Sequence, residues 1–221
     1  MNRIDDPLVS ILIPVYNREK LLSRAIRSCL NQDIEKEKIE IIVINDGSTD
    51  NSKSEIKKFS NEIVYVEHKK NIGLPSARNT GIKKSKGRYI FNVDSDDFIH
   101  PKTIKTLLIA AELLPSYSCI TCDYVLTDDN DNKSEIISFS DSPIACGILF
   151  KRQVLFDLGL YDEDFRINEE KDLWTRLLQK KHKIKNIGIP FYRYYRHDDN
   201  ITSSERKKDY DKKLKLKHGK L

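Results

Sequence analysis

No glycine occurs before Gly47 in this chain of 221 residues, and that gap excludes whole classes of chemistry. A Walker-type nucleotidase needs GxxxxGK[ST] and a dinucleotide dehydrogenase needs GxGxxG, both so that backbone N–H groups can approach phosphates. Neither pattern is present, and a nucleotidyltransferase with a glycine-rich first loop is disfavoured on the same ground. There is no run of eighteen apolar residues, so nothing reads as a membrane span. The opening stretch MNRIDDPLVSILIP holds no apolar segment with a small-residue cleavage site and does not read as a secretory signal. Cysteine is scarce: Cys29, Cys119, Cys122 and Cys146 are irregularly spaced, which suits a reduced, cytoplasmic setting better than a disulfide framework. Cys119 and Cys122 have the spacing of a zinc or redox pair, but with no second pair or histidine cluster they read as core thiols.

Net charge is also absent from most of the chain. Residues 205–221 hold eight Lys/Arg against three Asp/Glu, leaving 31 of each sign in residues 1–204. A neutral body argues against a nucleic-acid groove. The Lys-rich tail reads as a solvated end or a polar helix face. Its functional reading is peripheral attraction to anionic lipid headgroups, helped by Tyr210, Leu214, Leu216 and Leu221.

What is present alternates. LVSILIPV (8–15) is a near-continuous apolar run, the mark of a strand covered on both faces. NREKLLSRAIRSCLNQ follows with a helical stripe of Leu21, Leu22, Ala25, Ile26, Cys29 and Leu30, and Asn17 is expected as its N-cap. Strands are expected at 39–45, 63–68 and 88–93, with helices near 51–60, 73–87 and 101–114. That order means parallel βαβ units. Beyond 114 the alternation weakens. Two strands joined by a polar turn, two short helical segments and an aromatic then polar loop at 191–204 suggest a mixed, appended half. The domain expectation is 1–204, with a first half 1–100 and a second half 101–204, followed by the tail 205–221.

In such sheets ligands bind at the carboxyl ends of the strands. Three polar clusters fall there: PVYN, NDGSTD and DSDD. Asp94, Asp96 and Asp97 could face one hard cation, or form a capped turn before the next helix. Asp46 could accept a bond from a nucleobase N–H, or merely close a strand-to-helix connection. NEEKDLWTRLL gathers Glu169, Glu170 and Asp172 at a helix start, where the dipole favours acids and Asp172 can pair with Arg176. The same acids could supply a general base. Trp174 reads as core. His197 reads as incidental, or as a ligand if its loop covers the site.

Six segments in this order resemble the family 2 glycosyltransferases of the GT-A fold: VSILIPVYN, IIVINDGSTDNS, NIGLPSARNTGIKKSKGRYIFNVDSDD, FKRQVLFDLGLYDEDF, EEKDLWTRL and YRHDDN. The resemblance covers roughly residues 8–204. It implies an α/β, Rossmann-like, mostly parallel sheet flanked by helices, with a smaller mixed acceptor-side half. It further implies an inverting transfer from a nucleotide-diphosphate sugar, commonly a UDP-sugar, to a glycan or lipid-linked acceptor in surface polysaccharide synthesis. The implied cofactor is a divalent cation, Mn²⁺ or Mg²⁺. By the same resemblance Asp46 reads the base beside Pro14, Tyr16 and Asn17, and Arg78 lies near the nucleotide. Asp94 faces ribose, diphosphate or metal with Ser95 beside it. Asp96 holds the metal, Asp97 faces the donor sugar, and His197 reaches metal or diphosphate. The base is Glu170, with Glu169 and Asp172 as alternates, where relatives usually carry Glu-Asp. The acceptor pocket is expected from residues about 140–170. A sugar-nucleotide-binding subunit without turnover is the alternative, and a third reading makes the chain an interaction module acting through its tail.

Overall fold

A computed structural model describes residues 6–128, 135–166, 168–196 and 207–219, with 207–210 described by backbone alone. Strand β1 (Val9–Val15) is buried along its whole length. It pairs in parallel with β2 (Ile39–Asn45) on one side and β4 (Tyr89–Asn92) on the other. Central pairing of this kind buries both faces, which is why the segment is apolar without alternation. Strand β3 (Val64–Glu67) adds in parallel to the outside of β2.

Helices α1 (Leu22–Leu30), α2 (Ser52–Lys57), α3 (Leu74–Lys84) and α4 (Thr103–Leu113) separate or follow these strands. The sheet divides the core. Ile11 and Ile13 pack with Leu22, Ile26, Ile56 and Ile104 on one face. Leu12 packs with Ala77 and Ile82 on the other. Burying each such leucine or isoleucine side chain contributes about 1.5–3 kcal/mol.

The rest of the chain supplies β5 (Phe98–Ile99), β6 (Cys119–Thr127), β7 (Glu135–Ile137), β8 (Ile148–Lys151) and β9 (Ile184–Tyr195), with α5 (Arg152–Asp157), α6 (Glu169–Gln179) and α7 (Lys207–His218). Among the described residues the sheet has nine strands, ordered β3-β2-β1-β4-β8-β6-β9-β5, with β7 on β6. Strand β8 is antiparallel to β4 and β6, β5 to β9, and β7 to β6, so six strands of the nine share one direction. The expected α/β architecture with a mixed second half is what forms.

Three local expectations are corrected. Asn17 does not cap α1, which starts at Leu22 without any side-chain cap. Asn17 instead adopts φ 52°, and its Oδ1 accepts from the Thr49 backbone at 2.8 Å. Residues 191–195 are not loop but the end of β9. That strand hides in the sequence because Gly188 takes φ 66° and its pairing with β6 shifts register. The tail forms a helix whose Leu214 is buried on the protein, so that side chain is not available to a lipid surface. Among the described residues no helix is long and apolar enough to cross a membrane.

Candidate active site

The carboxyl ends of β1, β2 and β4 open into one cavity of about 770 Å³, whose other wall is residues 142–146 and the start of α6. Pro14, Tyr16, Asn17, Asp46, Arg78, Asp94, Ser95, Asp96, Asp97, Glu169 and Glu170 all line it. Asp172 does not, and His197 lies outside the described residues.

Asp46 follows β2 and is buried. Its Oδ1 accepts from the Ile72 backbone at 3.0 Å and lies 2.7 Å from His68 Nδ1. Its Oδ2 accepts from the Gly73 backbone at 2.8 Å. An ionised carboxylate only accepts, so His68 carries its proton on Nδ1, and its Nε2 lies 3.1 Å from Thr80 Oγ1. The carboxylate is therefore clamped in one orientation, with Oδ2 the less used oxygen. His68 escaped sequence reading, although its place directly after β3, beside the end of β2, was the available signal.

Arg78 is fully buried on α3 and joins the two halves of the site. Nη1 donates to Glu169 Oε1 at 2.5 Å and Nη2 to Asp94 Oδ1 at 2.9 Å. Burial works against this cation, but Asp94 and Glu169 more than offset it and raise its pKa well above the ordinary value. Glu169 is buried too, and desolvation, opposed by Arg78 and reinforced by Glu170, pushes its carboxyl up to about 7. Glu170 differs: it is half-buried and has no hydrogen-bond or ion-pair partner among the described residues.

The acids of the turn after β4 divide. Asp97 is expected to face a donor sugar, yet both its oxygens are engaged elsewhere: Tyr192 Oη donates to Oδ2 at 2.6 Å and the Tyr195 backbone to Oδ1 at 2.8 Å. Burial, with Asp96 and Asp94 nearby, raises its pKa well above the carboxylate range. These two bonds tie the turn to β9, and Asp97 still lines the cavity. Asp96 Oδ2 meets Arg18 Nε at 3.3 Å, and its carbonyl accepts from Arg24 Nη2 at 2.7 Å. The Arg24 guanidinium is held over the rings of Phe98 and Tyr195 at 4.6 and 4.3 Å. Asp94 is 30% exposed at its side chain, and only its Oδ1 has a partner among the described residues.

Asp172 is removed from the list of bases. It is fully buried, and its oxygens are taken by Arg176, Lys217 and His218. Burial raises its pKa, but hydrogen bonds from Lys217, His218 and Arg176, with the charge of Arg176, hold it below the usual value.

The residues fit a hard cation. Mg²⁺-like ions take one or two carboxylates and fill the rest of their shell with phosphate oxygens and water. Asp94 and Asp96 share one turn on the cavity, and Asp94 Oδ2 has no partner among the described residues. Among those residues no group of three or more ligating side chains gathers. Cys119 and Cys122 are buried free thiols, raised to about 12 by burial.

A family profile described as glycosyl transferase family 2 matches residues 10–203. The chain belongs to glycosyl transferase family 2. A relative from Rickettsia bellii, described as an uncharacterized glycosyltransferase, is 39% identical over 187 residues, covering 78% of this chain and 26% of its own. The chain spans between 26% and 60% of the length of the first three curated relatives it matches. Among solved structures, S. aureus TarS 1–349 in complex with UDP-GlcNAc aligns with a TM-score of 0.79 at 19% identity, covering 94% of this chain and 65% of that one. Mannosyltransferase PcManGT from Pyrobaculum calidifontis, in complex with GDP-Man and Mn²⁺, aligns at 0.71 with 17% identity, covering 96% and 63%. These likenesses show the fold.

Proposed function

We propose that the chain moves a sugar from a nucleotide-diphosphate donor to an acceptor hydroxyl with inversion, using Glu170 as general base. The observation that carries this reading is Glu170 itself: an unpartnered carboxylate on the first turn of α6, lining the same cavity as Asp94 and Asp96. Family membership supports the reaction class. The donors bound to the two structural neighbours, UDP-GlcNAc and GDP-Man, support a nucleotide-diphosphate sugar. The four buried, unpaired cysteines support a cytoplasmic setting.

Each step of this reading calls on a residue that lines the cavity. Asp46, clamped by His68 and two backbone N–H groups, offers Oδ2 to an N–H of the base. Asp94 and Asp96 would hold Mn²⁺ or Mg²⁺, which supplies positive charge to the departing diphosphate. Glu170 takes the acceptor proton as the new C–O bond forms, and the diphosphate leaves from the opposite face of the anomeric carbon. One displacement inverts that centre. Glu169 cannot easily play the part, since its carboxylate is buried on Arg78.

Glu170→Gln should slow sugar transfer by at least about 10²-fold while nucleotide affinity is kept. Transfer lost in Glu169→Gln but retained in Glu170→Gln would move the base next door.

A further inference from the structure

Helix α7 lies beyond the residues that the family profile matches, and no step of the proposed reaction uses it. Its inner face nevertheless grips the segment that carries Glu170. Asn168, the residue before α6, is buried and left-handed at φ 64°, a conformation asparagine tolerates better than most side chains. Its side chain makes no capping bond to its own helix; Nδ2 donates to Asp211 Oδ1 of α7 at 2.8 Å. Lys171 reaches the same oxygen at 3.4 Å.

Four residues on, Asp172 Oδ1 faces Lys217 and His218, each at 2.7 Å, while Arg176 holds Oδ2. Ahead of α6, Lys217 pairs with Asp162 at 2.7 Å and Lys213 donates to the Asp164 carbonyl at 2.9 Å. Lys213 and Lys217 lie over the buried ring of Phe165, at 4.9 and 5.2 Å respectively. The lysines of a merely solvated tail would have no reason to converge on these acids.

We infer that α7 is a strap that sets the catalytic carboxylate, with Asp211, Lys217 and His218 as positioning residues acting through Asn168 and Asp172. The inference rests on reading Glu170 as the base. Asn168, Glu169, Glu170 and Lys171 all line the cavity, so the left-handed turn at Asn168 decides where the first turn of α6 presents its acids. A displacement of about 1 Å at a reacting group costs on the order of 10²-fold in rate. Holding that turn from outside is therefore worth a dedicated helix.

Hydrogen exchange on the full chain reads the strap without any substrate. Asp211→Ala, and Lys217→Ala with His218→Ala, should speed amide exchange across residues 162–172 by about tenfold or more, leaving 39–50 and 89–97 unchanged. Asp211→Asn keeps an accepting oxygen and should restore protection. In sugar transfer the two disruptive variants should lower kcat about tenfold with the donor KM within about twofold. Unchanged exchange at 162–172, or lost protection with kcat kept, overturns the proposal. Transfer that survives Glu170→Gln overturns the base assignment instead, and the exchange result stands apart from it.

Discussion

Arg78 has no exposed surface, yet its charge is shared between acids from two distant parts of the chain. Removing one partner from such a buried group typically costs about 3–5 kcal/mol, because the remaining charge cannot reach water. Glu169 is the partner whose ionisation is strained. Its folded pKa, about 7, lies above the unfolded value of 4.5, so folding favours its protonated form. Stability from this group is complete below pH about 4.5 and is lost as pH rises through about 7, by an amount on the order of 3 kcal/mol. Urea unfolding at pH 5 and pH 8 should therefore show a smaller decline in Glu169→Gln than in the parent; an equal decline would refute the assignment. His68 makes a second residue-level claim. If it aims Asp46, His68→Ala should weaken UDP binding by about tenfold, the cost of one oriented hydrogen-bonded pair. Calorimetric titration showing unchanged affinity would remove His68 from the site.

The elements were legible to different degrees, and the reasons are local. Strand β2 could be read to the residue and β1 to within one residue at its start, because both are largely buried and end in polar turns. Strand β8 was not legible, since its four residues follow directly on a left-handed Gly147 and run straight into α5. The start of α1 was misplaced because Asn17 looks like a cap by type but spends its side chain on Thr49 across the loop. Gly47 shows how tightly the turn after β2 is built. At φ 69°, an added Cβ would stand 2.4 Å from the Lys70 carbonyl carbon, in backbone that cannot swing aside. Gly47→Ala should lower unfolding stability by about 1–3 kcal/mol, combining left-handed strain with a steric clash. Thermal unfolding that matches the parent would show that the loop yields.

At the scale of the whole molecule, the sheet topology does what no single motif could. It brings the acids after β4, the clamped Asp46 and the first turn of α6 to one cavity from positions more than a hundred residues apart. The sequence pointed to most of these residues because strand ends in a parallel sheet share one edge. Orientation was not readable there. Nothing in DSDD distinguishes Asp97, turned onto Tyr192 and Tyr195, from Asp94, which keeps an oxygen available. Nothing in EEKD shows that Asp172 is taken by Lys217 and His218 of α7.

The central claim is that this cavity binds a nucleotide diphosphate through a cation on Asp94 and Asp96. Titration of UDP into the parent and into Asp96→Ala, each with Mn²⁺ and with chelator, tests it directly. The parent should bind UDP at least about tenfold more tightly with Mn²⁺ than without, and Asp96→Ala should bind equally weakly in both conditions. If Mn²⁺ strengthens UDP binding to Asp96→Ala as much as to the parent, the assignment of the metal to this turn is wrong.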